Sequence, residues 1–411
     1  MRALPFFTTF ASTEEQLICA LEAKADRIIL EDSQLSVRSY HDDPIDLGFE
    51  KIVRLVNLAR EVNPEVNLIF NADSMIHDKN LSTLKALVQV LRKLSVKCLR
   101  FQDPGSIIWC KENAPDFCIH LATETGNQNV LSLQFFHDQG VVLQTLNNEL
   151  PYDAISVIRE NIKGDLELLV QGPLLIQYTY RRLMLGQNNP EGTNFETSAG
   201  ITNKVAYDLG RGGRPFPLYD NAHGHFMYFW ADRCLLRHME ILISLNLDSW
   251  LIDARGESLD YLKESLLAYR LKASQVISTT KAMEEGVPAE KNEDVEKKLK
   301  SFAQRPFKAG FFLANKTDYK KRRGVSMSGE KVLGRVVEAM KGSHIAVELK
   351  STLNIGLKGF YKTPENKELS VHVQKIETVD GEELERATAG ELVKLTWVSA
   401  VTVQSILFER D

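Results

Sequence analysis

The stretch DLELLVQGPLLIQYTYRRLMLGQ, residues 165–187, contains the element on which the fold assignment turns. Leu166, Leu168 and Val170 alternate with other residues, and this period of two predicts a buried strand. The run ends in Gln-Gly-Pro, and we expect a loop after it. Polar and aromatic side chains crowd that predicted loop: Tyr178, Tyr180, Arg181 and Arg182. The setting is typical of a binding site, although the predicted loop contains no Cys, His, Asp or Glu.

Seven more strand-like runs occur in the first 255 residues, with amphipathic helical segments between them. Eight strands that alternate with helices predict a parallel sheet closed into a (β/α)8 barrel of the TIM type. No Gly-x-Gly-x-x-Gly follows the first strand, which argues against a dinucleotide-binding fold. The predicted strands are 4–10, 27–31, 67–73, 98–103, 117–124, 141–146, 166–172 and 249–255.

The chain divides by pattern into three parts. The barrel is predicted for residues 1–280, with an insertion at 173–248 between its seventh and eighth strands. The middle of the insertion is rich in Asn, Gly and Thr, which is typical of a lid or binding loop. Residues 281–305 are charged and indicate a helical linker. Residues 306–411, where short strands alternate with Gly-containing turns, predict a small β-barrel or sandwich.

Polar residues follow the predicted barrel strands at their carboxyl ends, where barrel enzymes place their chemistry. Caps of the following helices account for some of them, since Asp and Asn are preferred cap residues. The remainder are candidates for catalysis or ligand binding. The ring comprises Glu31, Asp32, Asn71, Asp73, Gln102, Asp103, Thr123, Glu124, Asn147, Gln171, Asp253 and Arg255.

Length and charge limit the function classes. The chain has 411 residues, enough for two or three domains with their own cores. Its net charge of −5 gives no global positive field for nucleic acid. The basic run KTDYKKRRG (316–324) is either a solvated loop or a contact for a phosphate backbone. No apolar stretch nears the roughly 18 residues that span a bilayer, and the first residues lack signal-peptide features, so we expect a cytoplasmic protein without a membrane partner.

The cysteines show no Cys-x-x-Cys spacing. Several lie in apolar helix or strand patterns, so we expect small buried thiols and no disulfide framework. The five are Cys19, Cys98, Cys110, Cys118 and Cys234.

Two histidines are candidates for metal binding. His223 and His225 form a His-x-His with Asp220 nearby, and on a strand both rings would face the same way, as a metal pair requires. A structural role is the alternative. Cys234, one helical turn before His238, is a further candidate for metal binding or for a Cys–His pair.

Segments in order along nearly the whole chain resemble the peptidase U32 family of collagenase-like proteins. ALEAKADRIILEDSQLSVRSY resembles the family's first barrel unit, and RFQDPGSIIWCKENAPDFCIHLATETGNQN resembles its Asp-Pro-Gly and His-Leu-Ser-Thr-Gln stretch. LELLVQGPLLIQYTYRR resembles its Glu-Leu-Glu-x-Phe-Val-His-Gly signature, with Gln171 in place of His. DRCLLRHMEILISLNLDSWLIDARGESLDYLKESLLAYR resembles its Asp-Leu-Cys and Ile-Glu-Gly-Arg segments, with Asp253 in place of Glu. Matching residues include Arg38, Asn71, Asp103, Gly172, Asp232, Cys234, Arg255, Tyr261 and Tyr269.

The resemblance also implies a cofactor that this chain lacks the residues to hold. Family members that hydroxylate tRNA, ribosomal RNA or a quinone precursor bind an iron–sulfur cluster on four cysteines, because cluster irons need thiolate ligands. Leu175 and Arg182 stand at two of those positions, and the segment of the third is unrecognisable. Cys234 alone remains. We therefore expect no cofactor, and loss of the family's cluster.

Anion binding is the role we expect for the arginines near the barrel mouth. Arg181, Arg182 and Arg255 can converge there, and guanidinium groups suit carboxylates and phosphates. Ion pairs with Glu31, Asp103 and Glu124 are the alternative. The resemblance implies that the ligand is either the dicarboxylate prephenate or an RNA phosphate. Further ligand-binding candidates are Tyr178, Gln171, Asn71 and Arg38.

Three functions follow from these patterns. The first is a cluster-less ligand-binding or partner subunit in RNA modification, such as tRNA or rRNA hydroxylation, that works with a cluster-bearing U32 paralogue. The second is a peptidase or other hydrolase in which Asp103, Glu124 and Asp253 act as catalytic groups. The third is an RNA-binding module that uses the C-terminal β domain.

Overall fold

The structure, a computed structural model, describes residues 4–38, 49–122, 127–184, 202–208, 214–284, 295–313, 331–364 and 367–410. The described residues of Met1–Tyr207 and Pro215–Lys316 form one compact unit. Those of Asp208–Arg214 and Thr317–Asp411 form a second. The basic run at 316–324 lies outside the described residues, as does Glu124.

Eight parallel strands of the first unit close into a barrel. β11 pairs in parallel with both β1 and β7, which joins the two edges of the sheet. The predicted TIM-type barrel is therefore confirmed. The strands of this unit are β1 Phe6–Ala11, β2 Arg27–Leu30, β3 Asn67–Asn71, β4 Cys98–Phe101, β5 Cys118–Leu121, β6 Val141–Thr145, β7 Asp165–Thr179, β8 Thr202–Asp208, β9 Arg214–Asn221, β10 Gly224–Cys234, β11 Ser249–Ile252 and β12 Phe307–Lys308.

Helices connect the barrel strands and cover their outer face. The first begins after Thr13, whose hydroxyl accepts a hydrogen bond from the Gln16 backbone N–H at 3.2 Å. Apolar residues at helical spacing, such as Ile52, Leu55 and Ala59, are buried against the sheet. The helices are α1 Glu14–Glu22, α2 Glu50–Val62, α3 Leu81–Lys93, α4 Pro104–Asn113, α5 Val130–Asp138, α6 Tyr152–Asn161, α7 Met239–Ser244, α8 Leu259–Glu284 and α9 Val295–Lys300.

β7 does not end at the Gln-Gly-Pro sequence. It continues to Thr179 and pairs antiparallel with β10, which pairs with β9. The expected loop around Tyr178 is therefore a strand, and part of the 173–248 insertion is an antiparallel extension of the barrel sheet. Packing supplies the reason, because Tyr178 stacks on the Phe226 ring at 4.9 Å.

The barrel unit has an inner and an outer apolar core. The outer core lies between strands and helices and includes Leu166, Leu168 and Val170 of the stretch 165–187. Its members extend to Leu299 of α9 and to Phe312. The inner core comprises Phe10, Ile29, Ile69, Leu169, Leu174 and Leu251.

The second unit is mainly antiparallel. Its main sheet has the order β17-β16-β22-β13-β14-β21-β18-β19, and β15 pairs with β20. No helix in the described ranges combines the length and apolarity needed to cross a membrane. The strands of this unit are β13 Val332–Met340, β14 His344–Leu349, β15 Leu353–Asn354, β16 Lys358–Lys362, β17 Glu368–His372, β18 Ile376–Thr378, β19 Glu383–Leu384, β20 Arg386–Ala387, β21 Leu392–Thr396 and β22 Ile406–Glu409.

One disulfide corrects the expectation for the cysteines. Cys98 and Cys118 are joined, and their Cα atoms are 4.8 Å apart. They are paired residues on neighbouring parallel strands, a relation that sequence spacing does not reveal. Cys19, Cys110 and Cys234 are free buried thiols, as expected.

Candidate functional site

Charged residues at the carboxyl ends of the barrel strands form a buried network. Arg255 donates from Nη1 to Glu31 Oε1 at 2.7 Å and from Nη2 to Asp253 Oδ2 at 2.6 Å. Asn71 Nδ2 donates to Glu31 at 2.9 Å, and Arg38 lies 3.7 Å from Asp253. Three strand ends, those of β2, β3 and β11, are thereby linked through polar groups that are each at most 5% exposed.

The pKa values of the two carboxyl groups in this network, Asp253 and Glu31, are shifted in opposite directions. Burial would raise the pKa of Asp253, but the charge and hydrogen bonds of Arg255, with Arg38, hold it at about 2. Burial raises the pKa of Glu31, with the charge of Arg255 opposing. Asp253 is therefore a firmly ionised partner of Arg255, which suits it to positioning more than to proton transfer.

A small pocket opens beside this network. Its volume is about 30 Å³. Arg38, Arg100 and Tyr178 are among the residues that line it. Burial raises the pKa of Tyr178 to about 12, so this hydroxyl is protonated at neutral pH, and it donates to the His223 carbonyl oxygen at 2.9 Å. The lining residues are Val37, Arg38, Asp73, Arg100, Gln102, Ala122, Leu175 and Tyr178.

The structure does not bring together the three arginines expected at the mouth. Arg255 is buried and bound to Glu31 and Asp253, so its fork is already used. Arg181 is exposed, Arg182 is half-buried, and neither is among the residues that line the pocket. Glu31 pairs with Arg255, not with the arginines of the 165–187 stretch.

Arg100 is a pocket residue that the sequence reasoning missed. Its Nη2 donates to Thr145 at 3.0 Å and lies 3.7 Å from Glu167 Oε1. The available signal was the alternation in β4, where Leu99 and Phe101 belong to the outer core and Arg100 must face the barrel interior.

Gln171, an expected ligand-binding residue, faces helix α8 instead. Its Nε2 donates to the Tyr261 hydroxyl at 2.6 Å, and Tyr269 donates to its Oε1 at 3.3 Å. The register of β7 against β11 shifts between Leu169 and Gln171. This bulge interrupts the alternation of the strand, so Gln171 does not follow Leu169 into the barrel interior.

The three residues expected to be catalytic have different surroundings. Both carboxylate oxygens of Asp103 cap α4, accepting from Gly105 N at 3.1 Å and Ser106 N at 3.0 Å. Asp253 is held by Arg255. Glu124 lies outside the described residues. A hydrolase built on these groups stays a prediction.

The candidate metal ligands each have their own partners. His225 Nδ1 is 2.6 Å from Asp220, and His223 Nε2 is 2.7 Å from the Ser33 carbonyl oxygen. His223 lies in the turn before β10, so the two rings do not share one strand. Burial raises the pKa of Cys234 to about 12, which makes it a thiol at neutral pH.

The donor set at the cluster positions does not fit an iron–sulfur cluster. Leu175 lines the pocket and Arg182 carries a positive charge, so neither supplies a thiolate. Cys234 is 7% exposed in the outer core. Cluster irons require several thiolates, and these positions offer one protonated thiol.

Comparison with known proteins places the chain among relatives of one kind. The model of "Peptidase family U32" matches residues 12–322. The Bacillus subtilis tRNA hydroxylation protein P2 is 25% identical over 223 residues, which cover 54% of this chain and 71% of the relative. P1 of the same organism is 23% identical over 262 residues, 63% of this chain and 61% of P1. The Escherichia coli tRNA hydroxylation protein P is 22% identical over 417 aligned residues, covering 90% and 89%.

Two solved structures are also similar. A solved structure of a U32 peptidase matches 62% of this chain and 94% of its own, with a TM-score of 0.40 and 13% identity. The C-terminal domain of a Geobacillus thermoleovorans protein described as a U32 peptidase covers 21% and 99%, with a TM-score of 0.20 and 18% identity.

Proposed function

Because the chain belongs to peptidase family U32, we propose that it acts in tRNA modification, as a ligand-binding or partner subunit without its own iron–sulfur cluster. Its curated relatives are tRNA hydroxylation proteins, and the longest of these matches covers 90% of the chain. The pocket at the barrel mouth, lined by Arg38 and Arg100, is the observation that carries the binding role.

The chemistry of the pocket favours a small anion. Guanidinium groups recognise carboxylates through parallel N–H donors, and Arg38 and Arg100 both line the pocket. A pocket of about 30 Å³ is too small for a whole metabolite, so we propose that it receives one carboxylate group while the remainder of the ligand lies outside it. A dicarboxylate such as prephenate is the ligand class we propose, and an RNA phosphate is the competing anion.

A partner would supply the redox chemistry. Bacillus subtilis has two relatives, P1 and P2, so more than one chain of this kind occurs in one organism. We propose that a U32 paralogue with a complete cysteine set binds the cluster while this chain contributes the ligand pocket. Hydroxylation then depends on both chains.

The test is the level of hydroxylated nucleosides in tRNA, measured by mass spectrometry after deletion of the gene. We expect loss of the modification and its recovery with the wild-type gene. Arg100→Lys keeps the charge beside Glu167 but removes the planar fork, and we expect at least about tenfold weaker complementation. Arg92→Lys, a change of the same type in a half-exposed pair with Asp116, is the control and should complement fully. Unchanged tRNA modification in the deletion strain would refute the proposed function.

A further inference from the structure

A second cluster of reactive side chains lies at the opposite end of the barrel. Cys98 and Cys118 begin β4 and β5, so both lie at the amino-terminal ends of their strands. They are paired in the parallel register and joined as a disulfide. Cys98 packs against the inner apolar core, which places its side chain on the interior face of the barrel. The mouth network uses neither residue.

An imidazole completes this cluster. His120 follows Cys118 by two residues on the same strand and therefore on the same face. Its Nε2 is 3.7 Å from Cys98 Sγ, and the ligand atoms of all three residues lie within 4.8 Å of one another. Zinc–sulfur and zinc–nitrogen bonds of about 2.3 and 2.0–2.1 Å in a tetrahedron place sulfur and nitrogen about 3.6 Å apart. The Cys98–His120 pair already has that spacing.

Access also suits a cation held by thiolates. Two thiolates cancel the charge of a divalent ion. Both cysteines are only half-buried, so a reductant and an ion can reach them.

We propose that, when the disulfide is reduced, Cys98, Cys118 and His120 form a three-ligand site for a thiophilic divalent cation such as Zn²⁺. An added thiol or phosphine reductant supplies two electrons, and with two protons the disulfide becomes two thiols. Binding of the ion then releases the two thiol protons. The disulfide and the bound ion are mutually exclusive, because the same two sulfur atoms serve both.

The position of the site indicates what the ion would do. Residues at the amino-terminal face of such barrels contribute to stability, whereas chemistry occurs at the opposite face. An ion here would join β4 to β5 in place of the disulfide. Binding to the folded state alone would raise the unfolding temperature of the reduced protein.

Cobalt(II) is the probe, because its thiolate complexes give charge-transfer and d–d absorption bands. The full chain is reduced with a phosphine, freed of metal and titrated with Co²⁺. We expect one equivalent to bind with thiolate charge-transfer absorption, and Zn²⁺ to abolish the bands. The same wild-type protein, oxidised to the disulfide, should show no such bands. Bands of equal strength in the oxidised protein would overturn the proposal, as would their absence from the reduced protein.

Variants locate the site. Cys98→Ser and Cys118→Ser should each lose most of the charge-transfer intensity, and His120→Gln should shift the d–d bands. Cys19→Ser is the matched control, since this buried thiol donates to the Leu259 carbonyl oxygen and lies outside the cluster. Circular dichroism checks that each variant is folded, and the oxidised wild type removes any dependence on variant folding. Retention of the bands in the Cys98→Ser/Cys118→Ser double variant would place the ion elsewhere and refute this site.

Discussion

Arg255 is the residue on which the buried charges of the barrel mouth depend. It pairs with Glu31 and Asp253, which are at most 1% exposed. Arg255→Met keeps an unbranched apolar chain but removes the cation that both carboxyl groups bind, so that Asp253 retains the more distant Arg38. Removal of one partner from a buried ion pair typically costs about 3–5 kcal/mol. We expect the free energy of unfolding in urea to fall by that amount.

A surface pair is the control for this change. Arg54 and Glu14 are 3.9 Å apart, and both side chains are more than half exposed. Solvent screens such pairs, so Arg54→Met should cost no more than about 0.5 kcal/mol. If the two arginine variants were equally stable, the buried network would not hold the strand ends together.

The raised pKa of Glu257 predicts how the free energy of unfolding depends on pH. Burial raises its pKa from 4.5 to about 7, and burial raises the pKa of Asp232 to about 6. Arg305, 3.3 Å from Glu257 and 3.0 Å from Asp232, opposes both shifts. A raised pKa means that the folded state binds the proton more tightly than the unfolded chain. The stability that this tighter proton binding contributes is fully present below about pH 4 and is lost as the pH rises through about 7.

The Glu257→Gln variant tests that dependence. It removes one titration, so its unfolding free energy should fall less between pH 5 and pH 8 than that of the wild type. We expect a difference on the order of 2 kcal/mol in urea unfolding. Glu65→Gln, at an exposed glutamate, should behave as the wild type. Parallel pH profiles for Glu257→Gln and the wild type would show that Glu257 titrates normally.

Single residues were harder to assign from the sequence than the strands that carry them. Asn71 and Arg255 were correctly placed at strand ends, but their burial in one ion-pair network depends on which distant strands meet. Gln171 faces α8 because of a bulge in β7, and no local pattern marks that bulge. Arg100 was overlooked because a charged residue inside a short strand looks like an exposed one until the barrel closes.

At the scale of the element, Gly172 fixes the path of β7 through the barrel mouth. Its φ is +127°, a backbone conformation that side chains disfavour, and an added Cβ would overlap the Asp253 carbonyl oxygen. We expect Gly172→Ala to destabilise the protein by about 3 kcal/mol or more, because backbone atoms of two strands would have to separate.

Gly140→Ala is the control that separates the two causes of the stability loss expected for Gly172→Ala, the positive φ and the overlap with Asp253. The φ of Gly140 is +90°, and a Cβ there would meet nothing within 4 Å. Gly140→Ala therefore carries only the conformational penalty of about 1 kcal/mol. Chemical denaturation of both variants measures the difference. Equal losses of stability would mean that the close approach of Gly172 to Asp253 costs nothing.

The elements were predictable to different degrees for a physical reason. The eight barrel strands are short apolar runs between amphipathic helices, and each is recognisable locally. The extension of β7 to Thr179 was not, because its side chains are only partly buried and its partner β10 lies about 50 residues away in the sequence. Strand pairing over such a distance leaves no periodic signal in either segment.

At the scale of the whole molecule, the positions of the cysteines argue against an iron–sulfur cluster that several of them would bind together. Cys98 and Cys118 are at the amino-terminal end of the barrel, opposite the strand ends of the mouth network. Cys19, Cys110 and Cys234 are buried free thiols. Burial raises the pKa of each of these three, to about 11 for Cys110 and about 12 for Cys234. Because the three are protonated at neutral pH, they are poor ligands for iron.

Anaerobic purification followed by iron and acid-labile sulfide assays tests the proposed loss of the cluster. We expect a colourless protein with both contents far below one per chain, since one buried thiol at the family positions cannot hold a cluster. The Cys234→Ser variant should give the same low values as the wild type. Stoichiometric iron and sulfide that disappear in Cys234→Ser would show that this chain binds a cluster after all, and the redox role assigned to a partner would then belong to this protein.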